Sequence, residues 1–433
     1  MNLNANSNIG KIFNCISSLL DMFVKGIDAR VIKDSRNENT IEIDVTTKDG
    51  RFTSSAPSGK SKGIHEAQAF SSRGIQFSVA FAKAIGRKLS DKPLVSFEDL
   101  SIVEGYAKKI DKTSNWSVIG ANTLYSLEAS LLKAIAASHD KELWQLFCSK
   151  PGLLPLPLGN CIGGGVHVKQ ETKTDFQEFL LLPKTRHFFD AYFINLQAYK
   201  TAKKLIFERD RRFENKLTDE NAFAVTLENE QTLDLLEEVK SEIKRKFSIN
   251  LQIGIDAASS SFFVRNYYYY NNPARKLNQA QQIAYIAGLI RKYGLVYVED
   301  PLQEDDFEGF AKLRKEIEKN GLKCMIASDD LTATQFERVK KAVDEGCIDA
   351  LIAKPNQNGS ILETKRIVDF AKQNGINCVV SHRSGETCDN TIAQLAVGWQ
   401  CPIIKTGILG KERFAKLHEI LRIERETSQS KRK

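Results

Sequence analysis

Beyond residue 152 the chain repeats one pattern, a short apolar run followed by a polar, helix-like stretch. The runs are LQIGIDA (251–257), LVYVED (295–300), CMIASD (324–329), ALIAKP (350–355), NCVVSH (377–382) and PIIKT (402–406). Residues 306–319, 334–345 and 360–373 between them carry apolar positions at helical spacing. Buried strands alternating with covering helices predict an α/β protein with a parallel sheet, closed as a barrel or open and doubly wound. Each run ends near a side chain capable of chemistry: Asp256, Glu299, Asp329, Lys354, His382 and Lys405. In a (β/α)8 barrel the C-terminal strand ends converge on one mouth, so six such ends in succession favour the barrel. Charged residues that only mark a strand's exit into water explain one such position better than six.

The first part reads differently. Ile41, Ile43 and Val45 alternate with polar residues, Lys48-Asp49-Gly50 makes a turn, and 51–55 resumes the strand, which predicts a β-hairpin. Residues 77–85 and 121–137 carry broad apolar stripes of helical period. Pro151-Gly152, Pro155 and Pro157 punctuate a boundary. The expected division is an N-terminal extension (1–28), an α+β capping domain (29–152) and an α/β barrel carrying most of the site (153–433). In the extension, Ile12, Ile16, Leu19 and Phe23 share one helical face, suggesting an amphipathic helix that packs on the body or a partner.

With 433 residues, 42% of them apolar and 27% charged, the composition excludes collagen-like and disordered classes. The longest apolar run, 283–290, is far short of the roughly twenty residues that cross a bilayer. The start lacks the basic region of a secretory signal, so a cytoplasmic location is expected. Eight cysteines without any C-x-x-C pair fit reduced thiols, not a disulfide framework or zinc site. A net charge of +8 raises nucleic acid as a partner. Yet the basic stretch 200–216 is diluted by Glu208, Asp210 and Glu214 and has no base-reading motif, so it reads as a solvated helix face. Basic residues are few in 1–28, which gives no support to a membrane partner.

The strand-end residues suggest a chemistry. Asp256, Glu299 and Asp329 supply hard oxygen ligands suited to Mg2+. Lys354 and Lys405 would face the same mouth, where one lysine can become a neutral base while the other stays charged and holds a carboxylate. A lysine base beside a metal suits proton abstraction next to a carboxylate, through an ene-diolate. Arg383 with Ser384 is a natural phosphate clamp. The expected substrate is a small phosphorylated carboxylic acid.

The strings SDDLTAT (328–334), AKPNQNGS (353–360), SHRSGET (381–387), IKTG (404–407) and LRIERE (421–426) occur in the order and spacing of enolases. ARVIKDSR (29–36), APSGKSKGIHEA (56–67), LPLGNCIGGGVH (156–167) and DFQEFLLLP (175–183) agree. The chain thus resembles the enolase family over about residues 29–425, and its archaeal branch most. The resemblance implies an enolase-type (β/α)8 barrel behind an α+β cap. It also implies phosphopyruvate hydratase activity with two Mg2+ per active site, and a homodimer or larger homo-oligomer.

Position by position, Lys354 matches the base for the C2 proton of 2-phosphoglycerate and Glu220 the acid for the C3 hydroxyl. Glu178 matches a carboxylate that supports the acid, and Gln177 a residue that touches substrate. Asp256, Glu299 and Asp329 match ligands of the first Mg2+, and Ser61 meets the second together with the phosphate. Arg383 and Ser384 match the phosphate clamp, Lys405 the holder of the substrate carboxylate, and His167 and His382 two active-site histidines. The chain departs from the family's Gly-Asp-Glu-Gly around the acid, reading Thr218-Asp219-Glu220-Asn221, and has Lys62 and Val166 where Thr and Ser or Ala are usual. A stiffer acid loop and slower turnover are the expected consequences. Racemase-type relatives would carry a Lys-x-Lys pair on an early strand, and EFLLLPK (178–184) has none.

Overall fold

The computed structural model describes residues 22–60 and 63–429. The stripe Ile12, Ile16 and Leu19 and the expected metal residue Ser61 therefore lie outside the described residues; Phe23 is not helical and is exposed.

The cap opens with β1 (Gly26–Lys33), which pairs antiparallel with β2 (Asn39–Thr46), and β2 with β3 (Arg51–Ser55). The predicted hairpin is β2–β3. β1 has a single deeply buried residue, Ala29; Ile27 and Val31 alternate with it but are only partly buried, and the strand begins inside the stretch set apart as an extension. Ile41, Ile43 and Val45 turn toward α1 (Ile75–Leu89), α2 (Leu100–Ile110) and α3 (Ala121–Ser138). α3 is buried on nearly every side, because it packs on β2 and β3 and also on Pro355–Asn358 of the barrel.

Asp44 on β2 is paired with Arg30 on β1 and Arg51 on β3. Burial alone pushes its carboxyl up, but hydrogen bonds from Arg51, Thr53 and Arg30 outweigh it and bring the pKa down to about 2. A carboxyl depressed in the folded state stabilises above its unfolded pKa of about 4 and loses that contribution as pH falls. Both arginines are substantially exposed, so the discounted contribution is about 1–2 kcal/mol. Asp44→Asn is expected to unfold more easily than the wild type near neutral pH, with the gap closing toward pH about 2. A gap independent of pH in denaturant titrations would contradict this pairing.

The barrel strands are β4 (Leu156–Gly163), β5 (Glu178–Lys184), β6 (Asn250–Asp256), β7 (Tyr297–Glu299), β8 (Met325–Ser328), β9 (Ala350–Ala353), β10 (Asn377–Ser381) and β11 (Ile403–Lys405). They follow one another round a closed ring in which β11 pairs back onto β4. The predicted runs are β6–β11. The expectation of a parallel sheet needs one correction: β5 runs antiparallel to both β4 and β6. Two helices, α4 (Phe188–Arg209) and α5 (Asn229–Phe247), then follow β5 before the chain enters β6. α6 (Gln279–Tyr293), α7 (Phe307–Lys319), α8 (Phe336–Asp344), α9 (Ile361–Gln373), α10 (Thr391–Gly398) and α11 (Lys411–Gln429) complete the outer layer.

Strand pleating explains why the runs are continuously apolar. Ala350 and Ile352 fill the barrel interior with Leu158, Leu180, Tyr297 and Val379, while the alternate Leu351 and Ala353 join the outer core. That outer core also contains Ile43, Leu127 and Leu131 of the cap, so cap and barrel share one apolar body. This docking brings the cap loop after β3 to the barrel mouth, where Ser58 and Gly385 exchange backbone hydrogen bonds at 2.8 Å. Among the described residues no helix is long and apolar enough to cross a membrane.

Candidate active site

Asp256, Glu299 and Lys405 are the last residues of β6, β7 and β11; Asp329, Lys354 and His382 directly follow β8, β9 and β10. Because β5 runs backwards, its first residue, Glu178, lies at the same end, in register with Asp256. Asp256, Asp329, Lys354, His382 and Lys405 line one cavity with His167, Gln177, Glu178, Glu220, Arg383 and Ser384. Glu299 is fully buried and meets the cavity through Lys405. Apart from Glu299 and Ser61, the expected site residues thus line one cavity.

Several buried polar atoms here have no protein hydrogen-bond partner: both ring nitrogens of His167 and of His382, Gln177 Oε1 and Asn160 Oδ1. Buried polar groups are seldom left unpaired, so their convergence marks a place built for a polar ligand.

Carboxylates and lysines neutralise one another across the mouth. Lys405 Nζ donates to both oxygens of Glu299 at 2.8 and 2.9 Å and lies 3.2 Å from Asp256 Oδ2 and from Glu178 Oε2. Lys354 Nζ binds Asp329 Oδ2, and Gln357 Nε2 donates to Asp329 Oδ1 at 2.9 Å. Burial alone would lower the Lys354 ammonium, but Asp329 outweighs it and the net shift is upward. The neutral lysine expected from sequence is therefore not met at this charge balance, because each lysine has a carboxylate against it. Burial and the neighbouring Asp256 raise Glu299 to about 8.

Oxygens of Asp256, Glu299 and Asp300 lie within 4.8 Å of one another, and so do those of Asp300, Asp329 and Asp330. Hard, buried, crowded oxygen donors fit a divalent cation of the Mg2+ type. Asp300 was not singled out from the sequence. It accepts from the backbone N–H of Asp329 and Asp330 at 3.1 and 2.9 Å, so it fixes the ligand loop after β8. The acidic pair Glu299-Asp300 was the available signal.

Glu178 and Glu220 each offer an oxygen within 4.8 Å of the other and of His167. Burial and Glu220 push Glu178 well above the carboxylate range. Glu220 is also pushed up by burial, but His382, His167 and Arg413 outweigh this and hold it well below. His382 Nε2 stands 3.4 Å from Glu220 Oε2, and burial pulls its own pKa to about 4. Two carboxyls this close titrate as a coupled pair. Asn160 Nδ2, a residue missed in the sequence, donates to Glu220 Oε2 at 3.1 Å.

Arg383 is buried, and its Nη2 donates to both carboxylate oxygens of Glu66 of the cap at 2.8 and 3.0 Å, while Ser384 Oγ accepts from the Lys60 backbone N–H at 2.7 Å. Glu66 and Gln357 were also missed, since each acts through a partner distant in sequence. The glycine run 163–165 forms a tight turn: a Cβ on Gly164 would meet Thr174 Oγ1 at 1.8 Å. In the acid loop Asn221 takes φ 61°, which Asn tolerates better than most residues with a side chain, so the turn survives loss of glycine. Thr218 Oγ1 accepts from the N–H groups of Glu220 and Ala222, both at 3.3 Å, which ties the loop as its sequence suggested.

A family model described as the enolase C-terminal TIM barrel domain matches residues 151–432, and one described as the enolase N-terminal domain matches 24–147. The chain belongs to the enolase family. It is 37% identical over 412 residues to the enolase of Methanosphaera stadtmanae, covering 94% of this chain and 98% of the relative. The enolase of Archaeoglobus fulgidus is 39% identical over 409 residues, covering 93% and 97%, and that of Methanothermobacter thermautotrophicus 35% over 418, covering 95% and 99%. Enolase similarity on the archaeal side thus extends over nearly the whole chain. The chain is a hydro-lyase, a phosphopyruvate hydratase, acting on a small phosphorylated substrate.

Proposed function

We propose that the protein reversibly dehydrates 2-phosphoglycerate to phosphoenolpyruvate in glycolysis and gluconeogenesis, in the cytoplasm, with two Mg2+ per site and as a homodimer or larger homo-oligomer. The observation that carries the residue assignment is the placement of base and acid. Lys354 follows β9 and Glu178 starts β5, four strands apart in a ring of eight, so they face each other across the cavity. Lys354 Nζ, as the neutral amine, takes the proton from C2 on one side; a cation held on Asp329 would draw off the carboxylate that favours its ammonium form. Glu220, coupled to Glu178, delivers a proton to the departing C3 hydroxyl on the other, since hydroxide leaves poorly unprotonated. The proton and the hydroxyl then leave from opposite faces.

Lys405 holds the substrate carboxylate, Arg383 and Ser384 hold the phosphate, and Gln177, His167 and His382 offer their unpaired polar atoms to the remaining oxygens. Asp256, Glu299 and Asp329 would hold one Mg2+, and Ser61 would meet the second. When bound, Mg2+ supplies positive charge opposite the substrate carboxylate, where negative charge accumulates. The division into a cap (29–152) that contributes Ser61 and a barrel (153–433) that contributes the remaining groups belongs to this reading.

Supplying phosphoenolpyruvate to the enzyme in D2O tests the assignment. Deuterium is expected at C2 of the 2-phosphoglycerate formed. Label at C3, or none, contradicts Lys354 as the C2 base.

A further inference from the structure

Lys60 lies beside the cavity without lining it, in a groove shared with His167, Lys169, Lys216 and Asp219. Its ammonium lies 3.4 Å from Asp219 Oδ2 and donates to the backbone carbonyl of His167 at 3.4 Å, while its backbone N–H is held by Ser384. One cap residue therefore touches three barrel loops, carrying Glu220, His167 and Arg383-Ser384. The Asp219 main chain is gripped from inside by Arg413, whose Nη2 reaches Asp219 O at 3.4 Å and Ser384 O at 2.7 Å. Asn221 is fixed on the other side, its carbonyl accepting from Tyr199 and its amide donating to Leu409 O at 3.1 Å. The side chain of Asp219 is left as the link between the Glu220 turn and the cap.

We propose that Lys60 is a positioning residue for Glu220, setting the acid through Asp219. This rests on Glu220 being the acid. The Lys60 and Asp219 side chains are 26% and 33% exposed, and an ion pair so open to solvent contributes little to folding. Its effect lies in geometry, because a displacement of the acid by a fraction of an ångström slows proton delivery without touching the C2 base.

The test compares wild type, Lys60→Ala, Lys60→Arg, Asp219→Asn and, as a neighbouring cation that does not touch Asp219, Lys169→Ala, all as full chains with Mg2+. Lys60→Ala and Asp219→Asn are expected to eliminate water about 10- to 100-fold more slowly at unchanged melting temperature. Exchange of the C2 proton with solvent stays within about twofold of wild type. Amide hydrogen exchange over 217–224 quickens in both variants; Lys60→Arg restores most of the rate, and Lys169→Ala behaves as wild type. Unchanged amide exchange over 217–224 in Lys60→Ala overturns the proposal, as does a parallel fall of C2 exchange and elimination. A wild type that converts no 2-phosphoglycerate, with 217–224 still loosened in Lys60→Ala, removes the functional reading and leaves the brace standing.

Discussion

In Lys354→Ala, kcat for 2-phosphoglycerate dehydration is expected to fall about 10³- to 10⁴-fold, the upper range for losing a positioned general base. Exchange of the C2 proton with solvent falls with it, because the same lysine nitrogen mediates both. The lysine also binds Asp329, so its removal leaves a buried carboxylate with Gln357 as remaining donor. The melting temperature therefore needs to accompany the rate. A folded Lys354→Ala protein that still exchanges the C2 proton at the wild-type rate would place the base elsewhere in the cavity.

Glu220→Gln has the second large effect, and its character differs. The amide keeps the shape and still accepts from Asn160, but it carries no acidic proton, so loss of hydroxide slows about 10²- to 10⁴-fold. C2 exchange persists, because Lys354 stands on the far wall. Measuring both rates on one preparation separates the roles, and loss of exchange together with elimination contradicts the split. Glu178→Gln should resemble it in kind, since the two carboxyls are close enough to titrate as a coupled pair.

Much of the barrel was legible because strands buried on both faces read as apolar runs, and β6 to β11 each deliver a charged or titratable residue to the mouth. Two strands hid. In β4, LPLGNCIG mixes glycine, proline and asparagine into a fully packed strand, and nothing local in β5 reveals that it runs backwards. β1 was missed although Ile27, Ala29 and Val31 alternate with charged residues, because the run is short and Ala29 is its one deeply buried residue. Among site residues, those that end strands could be found by position. Glu66, Gln357 and Asn160 could not, since their importance lies in whom they touch: Arg383, Asp329 and Glu220. The lowering of Glu220 beside a raised Glu178 was equally hidden, because it depends on His382, His167 and Arg413 gathering round Glu220 from three separate segments.

The most direct measurement is the ultraviolet absorbance of phosphoenolpyruvate appearing when the full chain, with Mg2+, is given 2-phosphoglycerate. Expected is a steady, saturable rate that a chelator stops, that added Mg2+ restores, and that Lys354→Ala reduces to background. A wild-type rate no higher than that of Lys354→Ala under the same conditions contradicts the assignment.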